Sequence, residues 1–121
     1  MKLFKIAEYV ERKNPTPGSP YRPEILTVAE GARDLGGIFG LLPAGTQVPY
    51  HFHQRRESVI FVIGGSATQV IDGTEIPIST GDVLYIPAGE KHMTVNRSSQ
   101  DFRYLEIFTC PPLGADFVEV K

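Results

Sequence analysis

The chain of 121 residues has one cysteine, Cys110, no tryptophan, two methionines and three histidines. A lone cysteine cannot close an internal disulfide, so the fold does not rely on an oxidising compartment, and a cysteine-built zinc ribbon is excluded. No stretch is apolar for long enough to span a bilayer. The basic residues near the start are not followed by an apolar signal-peptide core, so the expected location is the cytoplasm. Neither sign of charge prevails. Twelve Lys and Arg against fourteen Asp and Glu give a net charge of −2. That balance gives no reason to expect nucleic acid or an anionic membrane as partner. A nucleophile motif and a phosphate-cradling glycine loop are also missing, since Gly64-Gly65 precedes no helical pattern.

What is present is punctuation. Residues 14–23 hold four prolines, a segment that breaks helix and cannot lie in a central strand. Residues 1–23 therefore read as an N-terminal arm, partly helical through Phe4, Ile6, Tyr9 and Val10, that lies across a partner subunit or runs into solvent. From Glu24 to Lys121, short runs rich in Val, Ile, Phe and Tyr alternate with Gly, Pro and Asp turn signals. Strands are expected at 25–29, 37–42, 48–53, 58–63, 67–71, 75–78, 83–86, 92–96 and 103–109. Asp72-Gly73 marks a hairpin, because both residues tolerate positive φ. Many short strands with almost no helix predict an all-β sandwich or barrel. The run from Ser58 to Ile63 is apolar at nearly every position, which asks for cover on both faces. Together with the arm, it predicts a homodimer.

His51 and His53 are separated by Phe52. On a strand, residues i and i+2 share a face with Cα atoms roughly 7 Å apart, which lets two imidazoles converge on one ion. Glu57 has the same parity and joins them if the strand resumes in phase, while His92 must arrive from elsewhere in the fold. Three imidazoles and a carboxylate suit Fe, Mn, Ni, Zn or Cu. With Glu57 inward, Val59, Phe61 and Ile63 would line an apolar tube, and Phe39 or Leu41, on a strand whose parity is not set, would add to its wall. Such a pocket suits a small organic substrate with one chelating group. Arg55 and Arg56 are expected in a solvated turn. Gln69, Tyr85, Tyr104 and Glu106 lie on strands of undetermined phase and are assigned structural roles, as are Tyr50, Met93 and Cys110.

The segment Gly45, His51, His53, Glu57, Gly64 and the segment Gly81, Pro87, Gly89, His92, Asn96 resemble, in residues and spacing, the two signature motifs of the cupin superfamily. The resemblance covers Gly45 to Asn96. It implies a double-stranded β-helix, or jelly roll, over residues 24–121. It implies one divalent transition metal shared by His51, His53, Glu57 and His92, and a structural hydrogen-bonding role for Asn96. It also fits dimerisation. The motifs say little about the reaction. A metal-dependent oxygenase of dioxygenase type is the first expectation. A non-redox isomerase, lyase or decarboxylase is the second, and a non-catalytic small-molecule-binding protein the third.

Overall fold

The computed structural model describes residues 1–121. Ten strands form two antiparallel sheets: β1 (Glu24–Leu26), β2 (Leu35–Leu42), β3 (Gln47–Phe52), β4 (Ser58–Gly64), β5 (Ser66–Ile71), β6 (Thr74–Ser79), β7 (Val83–Ile86), β8 (His92–Val95), β9 (Phe102–Thr109) and β10 (Val118–Glu119). One sheet runs β1-β2-β9-β4-β7 and the other β10-β3-β8-β5-β6. This is the jelly-roll order, in which sequence neighbours often sit in opposite sheets. The only α-helix is α1 (Ile6–Val10), and no helix is long and apolar enough to cross a membrane. Asp72 and Gly73 have φ of 49° and 75°, as the β5–β6 hairpin turn requires.

Register places one stripe of each strand in the barrel. Ile38, Gly40 and Leu42 pair with Glu106, Tyr104 and Phe102; Ser58, Ile60 and Val62 pair with Phe108, Glu106 and Tyr104. These positions supply most of an eleven-residue core cluster that also takes in Val48, Ala67, Ile78 and Ile86. Gly40 is required by close approach, because a Cβ there would lie 2.0 Å from Cζ of Tyr104.

The alternate positions face outward. Tyr9, Phe39, Leu41, Ile63 and Leu105 form a second cluster, completed by Phe4, Tyr21 and Ile25. The rings of Tyr9 and Tyr21 lie 5.4 and 6.1 Å from Phe39. Thus Phe39 and Ile63 do not line the pocket; they anchor the arm. The arm does not run free into solvent; it is tied to its own barrel. Tyr21 and Leu41 exchange both backbone hydrogen bonds, and the Arg103 guanidinium donates to the carbonyls of Tyr9 and Arg12.

Candidate metal centre

His51 lies on β3 and His92 on β8, directly opposite in the ladder, with His53 just past the end of β3. A register shift between Val48 and His51 lets both face the barrel. One ring nitrogen from each of the three histidines lies within 4.8 Å of the others, and all three residues are buried. Each Nδ1 meets a backbone carbonyl: His51 that of Pro49 at 2.6 Å, His92 that of Glu90 at 2.8 Å, and His53 that of Asp116. A carbonyl only accepts, so Nδ1 carries the proton and the lone pair is left on Nε2. Burial drives the His51 pKa down to about 3, and burial also lowers that of His92. Both are neutral at pH 7, the form that binds a metal. Donor type, tautomer and protonation therefore fit a divalent transition ion.

Glu57 does not join them. The chain leaves strand geometry between His53 and Ser58, and β4 resumes with Ser58 inward. Counting parity across that gap fails by one residue. The carboxylate of Glu57 instead accepts from the Tyr85 hydroxyl on the exposed face. The same slip turns Val59, Phe61 and Ile63 outward, and Phe61 is 37 % exposed. The Asp116 carboxylate fixes the turn by accepting from the backbone N–H groups of Gln54, Arg55 and Arg56. Burial alone would raise the Asp116 pKa, but these three donors pull it below the ordinary range.

Arg56 is not solvated. It is 1 % exposed, and its guanidinium donates to the carbonyls of Thr109, Cys110, Pro112 and Leu113 while lying over the Phe108 ring. Asn96 has the hydrogen-bonding role expected of it, donating to the carbonyls of Leu42 and Gln100 and accepting from Ser98.

The cavity beside the histidines is lined by residues that sequence reasoning left unplaced or missed. Gln69, Tyr104 and Glu106 face it, Arg22 reaches in from the arm, and Phe117 lies at its edge. The Phe117 ring stacks on His51 with centroids 4.3 Å apart. The enclosed volume is about 20 Å³, room for roughly a water or two. Tyr85, whose phase the sequence left open, lies outside with Glu57.

The family described as "Cupin domain" matches residues 38–108, and the chain belongs to it. Among curated relatives, the oxalate-binding protein of Thermotoga maritima is 29% identical over 66 residues, covering 54% of this chain and 54% of its own length. The H2HPP isomerase of Bacillus subtilis is 30% identical over 67 residues, 55% of this chain and 28% of the isomerase. The quercetin 2,3-dioxygenase of the same species is 32% identical over 50 residues, 41% of this chain and 15% of the dioxygenase. The chain thus spans about half the length of the first relative, and less of the other two. A solved structure from Klebsiella pneumoniae, described as having a double-stranded β-helix domain, superposes with a TM-score of 0.79 at 22% identity, covering 100% of this chain and 98% of that one. That likeness establishes the fold. The three relatives carry three different functions, so the family does not by itself select one.

Proposed function

We propose that the chain binds one divalent transition-metal ion through Nε2 of His51, His53 and His92 and acts as a metal-dependent isomerase, lyase or decarboxylase on a small oxygen-chelating substrate. The carrying observation is the set of three Nδ1-anchored imidazoles whose ligand atoms converge with no carboxylate oxygen among them. Neutral ligands leave the full double charge on the ion, which would supply Lewis-acid polarisation of a substrate oxygen. The chain supplies the rest. Glu106 is 7 % exposed, faces the cavity, and is the carboxylate placed to take or return a proton there. Burial first of all keeps the Tyr104 phenol protonated, so it serves as a hydrogen-bond donor or acceptor and not as an anion. Phe117 shields the mouth from water.

Dioxygenase chemistry is the second reading, favoured by the 32% identity to quercetin 2,3-dioxygenase over 50 residues. Two measurements on protein loaded separately with Zn, Mn, Ni, Fe or Cu separate them. Uptake of solvent deuterium next to the carbonyl of small 2-oxo acids, lost in Glu106→Gln, supports the first. Oxygen consumption confined to the iron or copper form supports the second. Binding without either reaction leaves a small-molecule-binding protein. We further propose a homodimer, formed through the outer face of the β4–β7 sheet.

A further inference from the structure

Arg22 lies in the proline-rich arm, next to Tyr21, whose backbone pairs with Leu41 at the rim of the barrel. Tyr21 turns outward into the aromatic cluster, so its neighbour turns inward. The Arg22 side chain lines the cavity beside the histidines. Its Nε donates to Tyr104 Oη at 3.1 Å, which fixes the plane of the guanidinium. Glu106 lies close enough to raise the Arg22 pKa, after Tyr104 as the larger cause, yet forms no ion pair with it within 4 Å. Gln69, 1 % exposed, lines the same cavity. Its Oε1 accepts from Thr94, which orients the amide, and its Nε2 is buried without a hydrogen-bond partner. A buried donor without a partner is costly, so such a group marks a place where an acceptor belongs.

We infer that Arg22 and Gln69 form an anion subsite for the substrate, and that the substrate is a small carboxylate with a second oxygen donor on the adjacent carbon. This rests on the metal-centre reading above. The ion at +2, Arg22 and Arg56 at +1 each and Glu106 at −1 sum to +3 around the cavity, which favours an anion. The planar guanidinium, with Nε occupied, keeps its terminal N–H groups for carboxylate oxygens. A narrow cavity admits one compact end of a molecule, and a carboxylate with its adjacent oxygen is such an end. Arg22 is then a specificity-determining residue contributed by a segment outside both sequence motifs, positioned by Tyr104.

The test titrates zinc-loaded protein with oxalate, and separately with imidazole as a neutral ligand that needs only the ion, by calorimetry. Arg22→Met is expected to keep its zinc by elemental analysis, to bind imidazole as wild type does, and to bind oxalate at least tenfold more weakly. Arg22→Lys, which keeps charge but not the fork, should fall between. Gln69→Leu should weaken oxalate several-fold with imidazole unchanged. Oxalate affinity unchanged in Arg22→Met, or an equal loss for oxalate and imidazole, would overturn the subsite. If wild type retains no zinc, the metal reading fails by itself. The subsite is then judged on the metal-free chain by NMR titration, where oxalate binding lost in Arg22→Met supports it and binding that is absent or unchanged overturns it.

Discussion

The sharpest consequence at the level of single residues concerns Glu57. Spacing places it where a fourth ligand would be, and backbone phase places it outside with Tyr85. His51→Ala and His92→Ala should each lower metal affinity by at least about 100-fold, beyond the roughly 10–100-fold cost of losing a supporting partner. Glu57→Gln should leave metal content unchanged. Elemental analysis beside circular dichroism decides it, and metal lost from Glu57→Gln would mean that the segment before β4 shifts phase on binding the ion. The same histidines set a pH dependence in the metal-free protein. The His51 pKa is about 3 in the fold, against an ordinary 6.5 in the unfolded chain. Between those values the unfolded chain binds the proton and the fold does not, so stability is fully present above pH 6.5 and falls as pH drops. His92 acts in the same direction. The limiting slope is roughly 1.4 kcal/mol per pH unit for each such imidazole. Asp116, lowered from the carboxylate range, adds its loss only at more acid pH. Denaturant midpoints should therefore decline already between pH 6.5 and 4.5, and a flat profile there would show that the imidazoles are protonated in the fold.

Elements were legible where a period ran unbroken, and illegible where it was interrupted. The strands that carry His51 and His92 stand out in the sequence because β-rich runs are bounded by turn residues, and Asp72-Gly73 closes the hairpin those residues suggest. His-x-His needs no more than two residues of strand to share a face, so its reading survives. The phase of β4 does not, because Gln54 to Glu57 are irregular backbone shaped by Asp116, a residue some sixty positions away whose role no local pattern carries. Gln69, Tyr104 and Glu106 needed the register of β5 and β9, which only pairing reveals. Arg22 was hidden in the proline-rich part of the arm, outside both motifs. The corrected phase can be checked through two phenylalanines. Phe39, 0 % exposed between Tyr9 and Leu41, belongs to the arm's seat, so Phe39→Ala should cost about 3–5 kcal/mol. Phe61, partly exposed, should cost well under that on truncation, and neither change should alter chelator binding at the metal. Gly40→Ala drives a methyl into the Tyr104 ring and should destabilise by about 1–3 kcal/mol or more. Thermal unfolding reads all three, and a neutral Gly40→Ala would mean that the Tyr104 ring can move from its place above the cavity.

For the molecule as a whole, the outward phase of β4 relocates the argument for a dimer. The apolar run from Ser58 to Ile63 does bury both faces in part, but one chain covers them unevenly. The inner positions face the barrel, and Ile63 lies under the arm. Phe61 pairs with Val83 and Val59 with Tyr85 across the β4–β7 ladder, and Phe61, Val83 and Tyr85 are 37 %, 60 % and 58 % exposed. Ile107 stands beside Val59 on β9, and an apolar groove joins Phe61 and Ile107 to Phe4, Ile6 and Ile25. A contiguous apolar face on an edge-containing sheet is unusual for a monomer. A twofold axis through that face would lay it on its own copy, since an isologous contact needs a self-complementary patch. The charges on its flank are peripheral: Glu57 is held by Tyr85, and the Lys2 ammonium lies over the Phe4 ring. Light scattering at micromolar concentration should give a dimer mass. Phe61→Glu puts a charge at the centre of the patch without disturbing the barrel, and should give a folded monomer that still binds metal, because all three histidines belong to one chain. A wild-type monomer, or a Phe61→Glu dimer, would send the search for an interface to another surface. Metal lost along with the dimer would show that the centre depends on the contact between subunits, and that the isolated barrel does not hold its histidines in place.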